Sequence, residues 1–200
     1  MDISQNKSKF IDDILNFRTD IYNSLESHIH TGDLEEKRSD YQGRFSKERF
    51  KDYFVRKTTL HIVYKYILIR MSEDLQRIVN PKFNIEGIRN WNEMSKNYRR
   101  DYYMLFNIAT EDIRRTKELG EIFIPSIYDN YIEKLQRNVF NKKEDNHIEI
   151  LKEYDFRTLD PNTAVSLFDK LYPNEDRENL QEFIEDSKII TYLMKSLGLI

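Results

Sequence analysis

Between Leu60 and Met71 almost every side chain is apolar (Leu60, Ile62, Val63, Tyr64, Tyr66, Ile67, Leu68, Ile69, Met71), within a stretch from Ser46 to Asn80 that holds neither glycine nor proline. A helix with one apolar stripe lies on a surface, whereas a helix apolar all round must be covered on every side. The run is too short to span a bilayer and is interrupted by Lys65. Other helices of the same chain therefore have to surround it. This predicts an all-α fold, an irregular multi-helix bundle around a buried central helix at about residues 46–79. Ser46 is its N-cap and Asn80-Pro81 its stop.

The remaining segments supply the covering faces. Phe10, Ile14, Phe17, Ile21 and Leu25 recur at helical spacing and predict a first helix that fades near Thr31-Gly32-Asp33. Residues 32–45 read as an exposed loop. A stripe from Ile85 through Trp91, Tyr102, Leu105 and Ala109 to Ile113 continues the helical pattern, with room for one interruption. Ile122-Phe123-Ile124-Pro125 is short enough to be extended, and Ser126 can cap a helix reaching Val139. Asn141 to Asn146 reads as an exposed turn. Asp160 with Pro161 opens a helix that Pro173 stops, and Asn174 can cap a last helical region ending at Gly198. With only 5 glycines and 4 prolines in 200 residues, long helices are the default, and no alternation long enough for a sheet occurs. The chain reads as a single helical domain over residues 1–200, with a C-terminal helical subregion at about 150–200.

Composition excludes several classes of function. Without cysteine there is neither a disulfide framework nor a thiolate metal site. The N-terminal residues carry no signal-peptide core, which places the chain in the cytoplasm with no membrane partner. The net charge of −3 conceals an uneven layout: residues 46–115 hold 15 basic and 9 acidic groups, while both ends are acidic. A nucleic-acid contact is thereby directed to the middle of the chain.

Few residue patterns carry chemistry. His28 and His30 are two apart, so they point to different sides of a helix where a metal pair needs a spacing of three or four. Arg56 and His61 match the Arg-x4-His spacing of HEPN-like helical ribonucleases, in which histidine is the general acid or base and arginine steadies the phosphate. A chain with 4 histidines is expected to hold about one such pair by chance, and a hydrogen-bonded core histidine explains His61 better. Asn80-Pro81-Lys82-Phe83 compares with the Asn-Pro-Pro-aromatic loop of amino-methyltransferases, but it follows a helix and reads as a helix-stop turn. The basic-aromatic stretch around Arg99 and Arg100, with Arg114 and Arg115 about four turns later, is the best candidate for DNA-phosphate contact. An exposed face whose arginines pair with Asp101, Glu111 and Asp112 is the competing explanation. Arg70, Glu73 and Asp74 have the spacing of a structural helical ion pair. Lys65 must either reach solvent or meet a buried acid.

Two segments carry a family likeness. Phe54 to Asp74, with Arg56, Leu60 and the run Ile69-Arg70-Met71-Ser72-Glu73-Asp74, resembles a helix in the N-terminal region of adenine-N6 DNA methyltransferases of the type IIG restriction-modification and phage-exclusion kind. Tyr154-Asp155-Phe156-Arg157-Thr158-Leu159-Asp160, followed by Leu167-Phe168-Asp169-Lys170-Leu171, resembles that family's segment just before the catalytic domain. Val165 stands where the family usually has glycine, and Thr59 where it often has alanine. The resemblance implies the N-terminal part of a longer protein, an accessory module that docks on the catalytic domain in cis or in trans and helps to hold DNA. S-adenosylmethionine belongs to the missing catalytic domain, so this chain holds no cofactor and is not catalytic alone. A HEPN-like ribonuclease and a non-enzymatic protein-interaction domain remain the alternatives.

Overall fold

The computed structural model describes residues 1–40, 46–96, 101–117, 119–134, 139–140, 146–171 and 188–198. Among the described residues eight α-helices are delimited: α1 (Lys7–His28), α2 (Glu35–Asp40), α3 (Lys47–Asp74), α4 (Ile85–Met94), α5 (Tyr102–Arg114), α6 (His147–Leu151), α7 (Pro161–Leu171) and α8 (Lys188–Ser196). Short 3-10 turns occupy Thr31–Leu34, Asp129–Lys134 and Phe156–Thr158. Among the described residues there is no strand, only an isolated bridge between Asp2 and Asp155. The protein is an all-α multi-helix bundle.

The central helix is α3. Ser46 caps it by accepting from the Arg49 amide at 3.3 Å, and Thr58 and Thr59 turn their hydroxyls inward onto the carbonyls of Phe54 and Val55, each at 2.8 Å. Those back-bonds let two polar residues lie buried within the helix. The helix ends five residues before the expected position at 79. Gln76 takes a left-handed conformation (φ 57°), while the Arg77 amide donates to Ser72 and the Gln76 amide to Glu73. This is the helix-ending pair of bonds that glycine usually serves, and glutamine in that role left no sign in the sequence.

Aromatic contacts show how α3 is enclosed. Tyr66 meets Phe17 of α1 at 5.4 Å and Phe83 at 5.3 Å. Phe54 meets Tyr131 at 4.8 Å, and Tyr64 meets Phe168 of α7 at 5.4 Å. Four separate chain segments thus contribute rings to one helix, with ring separations typical of favourable edge and tilted contacts. Tyr66 is fully buried and its hydroxyl has no hydrogen-bond partner among the described residues, and burial pushes its pKa up. An unmet buried hydroxyl costs about 1–3 kcal/mol. Tyr66→Phe is therefore expected to stabilise the protein by about 1 kcal/mol in urea denaturation, and a loss of stability would refute the unmet state of that hydroxyl.

Several sequence expectations need correction. The stretch expected as an exposed loop at 32–45 begins with a 3-10 turn and α2, and Leu34 is buried; positions 41–45 lie outside the described residues. The stripe from 85 to 115, by contrast, takes the one interruption allowed for it, between α4 and α5, where Asp101 caps a new helix by accepting from the Met104 amide at 3.1 Å. Ile122 to Pro125 forms no strand, and Phe123 is a core residue. After Ser126 the chain passes through the 3-10 turn Asp129–Lys134, while positions 135–138 of the expected helix lie outside the described residues. Gly87 lies against the backbone of Pro81 and Lys82, where a Cβ would approach to 2.5 Å. Only glycine lets α4 fold back so closely on the turn that ends α3. The expected stop at Pro173 and cap at Asn174 lie outside the described residues.

Candidate functional site

The most built-up cluster lies at the C-terminal end of α3. Arg70 is 1% exposed, and its guanidinium holds Glu73 at 3.0 Å and Asp74 at 3.0 Å, one helical turn on. It also donates to the Tyr154 carbonyl at 2.9 Å and lies over the Phe156 ring at 5.0 Å. Both carboxylates reach further. Glu73 accepts from the backbone amides of Lys82, Phe83 and Asn84 at 2.7–3.1 Å, and Asp74 accepts from the Phe156 amide at 2.8 Å. Burial pushes the Glu73 carboxyl up, against the pull of Arg70 and those amides.

One charged triplet on a single helix thus fixes two distant loops. The Asn80-Pro81-Lys82-Phe83 turn presents its amides to Glu73, and the segment at 154–156 presents a carbonyl and an amide to Arg70 and Asp74. The N-terminus joins the same region, since Ile3 donates to Thr158 Oγ1 at 2.8 Å and Asp155 to the Met1 carbonyl at 2.8 Å. Phe10 of α1 packs on Tyr154 and Phe156 at 5.1 and 5.5 Å. A cleft of about 770 Å³ opens over the cluster, lined by residues that include Arg70, Asp74, Arg89, Lys152, Tyr154 and Arg157. Its walls carry both signs of charge, which gives no preference for a simple anion or cation.

A second buried cluster sits farther up α3. Lys65 forms an ion pair with Asp129 inside the protein, and His61 Nε2 lies 3.2 Å from the other carboxylate oxygen. Ser126 donates to Asp129 through its amide at 2.7 Å and its hydroxyl at 3.0 Å. Ser126 Oγ and Asp129 both approach the same imidazole nitrogen. A serine–histidine–aspartate relay needs one partner on each ring nitrogen, so the cluster is a structural tie that fastens the 126–134 segment to α3. Burial alone would raise the Asp129 carboxyl, but the His61 hydrogen bond and the Lys65 charge outweigh it and hold it below the usual carboxylate range.

Burial pushes the His61 imidazole down, against the attraction of Asp129. A base whose folded pKa is depressed resists a proton that the unfolded chain accepts. Stability is then complete above about pH 6.5 and falls as the pH drops, by up to about 1.4 kcal/mol per pH unit. Urea unfolding between pH 7.5 and 5.5 should show this decline, and His61→Gln should flatten it. An unchanged slope in that variant would contradict the assignment. The Asp129 contribution has the same sign in a lower window, present above the unfolded carboxylate pKa and lost as the pH falls below it.

The other predicted site residues are engaged differently. Arg114 and Arg115 close α5, with side chains 43% and 75% exposed, and both reach the same Glu111 carboxylate oxygen, at 3.2 and 3.3 Å. Exposed pairs of this kind are worth little. Arg99 and Arg100 lie outside the described residues. Arg56 pairs with Asp52 on the outer face at 2.9 Å, while His61 is buried against Asp129, so the structure gives them separate partners instead of one ribonuclease site. His28 bonds the Ser24 carbonyl at 2.7 Å, and no group of His, Asp or Glu among the described residues is arranged to hold a metal. No described helix is long and apolar enough to cross a membrane.

Sequence reasoning found Arg70, Glu73 and Asp74 from their spacing but missed what they hold. Ser126 is legible only as a cap and Asp129 carries no local signal; Lys65 in an apolar run is what announces that an acid is needed. Compared with known proteins, the chain matches no family model, no curated protein and no solved structure.

Proposed function

We propose that this chain is an accessory helical module of an adenine-N6 DNA methyltransferase of the restriction-modification or phage-defence kind, acting in the cytoplasm. It docks on the catalytic domain and helps to hold DNA, while S-adenosylmethionine and the methyl transfer belong to that domain. One observation supports the reading above others. The two segments that resemble this family, 84 residues apart at Arg70 and Tyr154, meet at one buried guanidinium. A likeness confined to local sequence would give no reason for those segments to touch. The exposed arginines at the end of α5 support a DNA-facing role, because their acidic partner is weakly held in solvent.

Fluorescence anisotropy with a labelled duplex tests the DNA part. Binding at low salt should weaken about a hundredfold between 50 and 200 mM NaCl if four phosphates are neutralised. The variant with Arg99, Arg100, Arg114 and Arg115 all changed to alanine should lose most of the affinity and most of the salt dependence. Absence of binding at low salt, or equal binding by the variant, refutes the DNA contact.

A further inference from the structure

A pocket of about 200 Å³ lies between α5 and the segment from 123 to 132, with Lys65 of α3 among its lining groups. Its charges cancel. Lys65 is paired with Asp129, and Arg114 reaches Glu111 at 3.2 Å, so the two cations and two carboxylates of the lining are all spent on one another. A charged ligand would give up its hydration here for no net attraction.

What the lining leaves unspent is uncharged. Tyr103, Asn107 and Thr110 stand at i, i+4 and i+7 on α5 and so share one face of that helix. Among the described residues neither the Tyr103 hydroxyl nor the Asn107 amide has a hydrogen-bond partner, and the Thr110 hydroxyl is buried with none. A buried hydroxyl left unmet is costly, and threonine in a helix divides between two rotamers through which its hydroxyl can turn to a ligand. The Asn107 amide carries a donor beside an acceptor, the complement of an N–H beside a C=O. The remaining lining groups, Phe123, Pro125 and Ile132, are hydrocarbon. A cavity of about 150 Å³ accepts benzene and drug-sized ligands occupy roughly 300 Å³ or more, so the space suits one small ring system.

We propose that this pocket binds a single uncharged ring with an amide-like edge, the chemistry of a pyrimidine base, with Asn107 and Thr110 bonding the edge and Pro125 and Ile132 packing on the ring. A free base and an unpaired base in a single strand offer the same ring and the same edge. A ring that carries a carboxylate is the poorer ligand, because the lining holds no charge left over to receive it. The site does not rest on the proposed DNA contact, since Tyr103, Asn107 and Thr110 have no part in that contact.

Nitrogen-15 NMR of the whole chain tests this with uracil as the probe. The amide resonances of 103–110 should move and saturate, with a Kd of about 1 mM or tighter. Uracil methylated at both nitrogens keeps the ring but has no N–H, and orotate keeps the edge but adds a carboxylate; each should bind at least about fivefold more weakly. Asn107 is exposed, so Asn107→Leu should leave the dichroism spectrum unchanged while weakening uracil about tenfold. A thymidine oligonucleotide and an abasic strand of equal length separate the two sources, because they carry the same phosphates. Stronger shifts at 103–110 with the thymidine strand assign the pocket to a base within a strand, and uracil binding with equal effects of the two strands assigns it to a free ring. No shift with uracil together with equal effects of the two strands overturns the proposal, as does equal binding of the methylated ring or of orotate, or binding that is indifferent to Asn107→Leu.

Discussion

Arg70→Ala is expected to destabilise the protein by about 3–5 kcal/mol, a large share of the stability of a typical domain. The size follows from what is stranded. Glu73 and Asp74 remain buried or nearly so after the guanidinium is removed, and the Tyr154 carbonyl and the face of Phe156 lose their partner. Replacing a whole buried ion network by apolar groups can be neutral, but that escape is closed here because Glu73 also satisfies the amides of Lys82, Phe83 and Asn84. Arg70→Lys should recover only part of the loss, since an ammonium cannot serve two carboxylates and a carbonyl with a planar fork. Urea unfolding followed by far-ultraviolet dichroism measures both variants.

Asp129→Ala is the second large effect, also about 3–5 kcal/mol. Its removal leaves the Lys65 ammonium 2% exposed with no counter-charge, leaves His61 Nε2 only the longer contact with Ser126 Oγ, and strands the Ser126 amide. The cost should then depend on pH, because Lys65 without its acid lowers the penalty by giving up its proton. Burial already pushes the Lys65 ammonium down in the intact protein. The double variant Lys65→Met/Asp129→Leu removes both charges together and should be less destabilised than Asp129→Ala alone. If the double variant were worse than the single one, the polar contacts of Asp129 with Ser126, and not the stranded lysine, would dominate the site.

The core helix was legible because enclosure leaves a mark on sequence: apolar residues on every side of one segment admit few arrangements. Arg70, Glu73 and Asp74 were legible for a similar local reason, the spacing of three and four along a helix. What they join was not, because a backbone amide has no sequence signature, and it is amides at 82–84 and 156 that receive the two carboxylates. The early end of α3 was hidden by Gln76, which takes the conformation that normally advertises itself as glycine. Asp129 lies 64 residues from Lys65, and no periodicity connects positions so far apart.

Amide hydrogen exchange at Phe156, Lys82, Phe83 and Asn84 tests the central arrangement most directly. If one charged cluster fastens both loops to α3, these amides open together with a free energy close to that of global unfolding, and Arg70→Lys lowers the protection of all four in concert. Rapid exchange at Phe156 while 82–84 stay protected, or protection at either loop that is indifferent to Arg70→Lys, would contradict it.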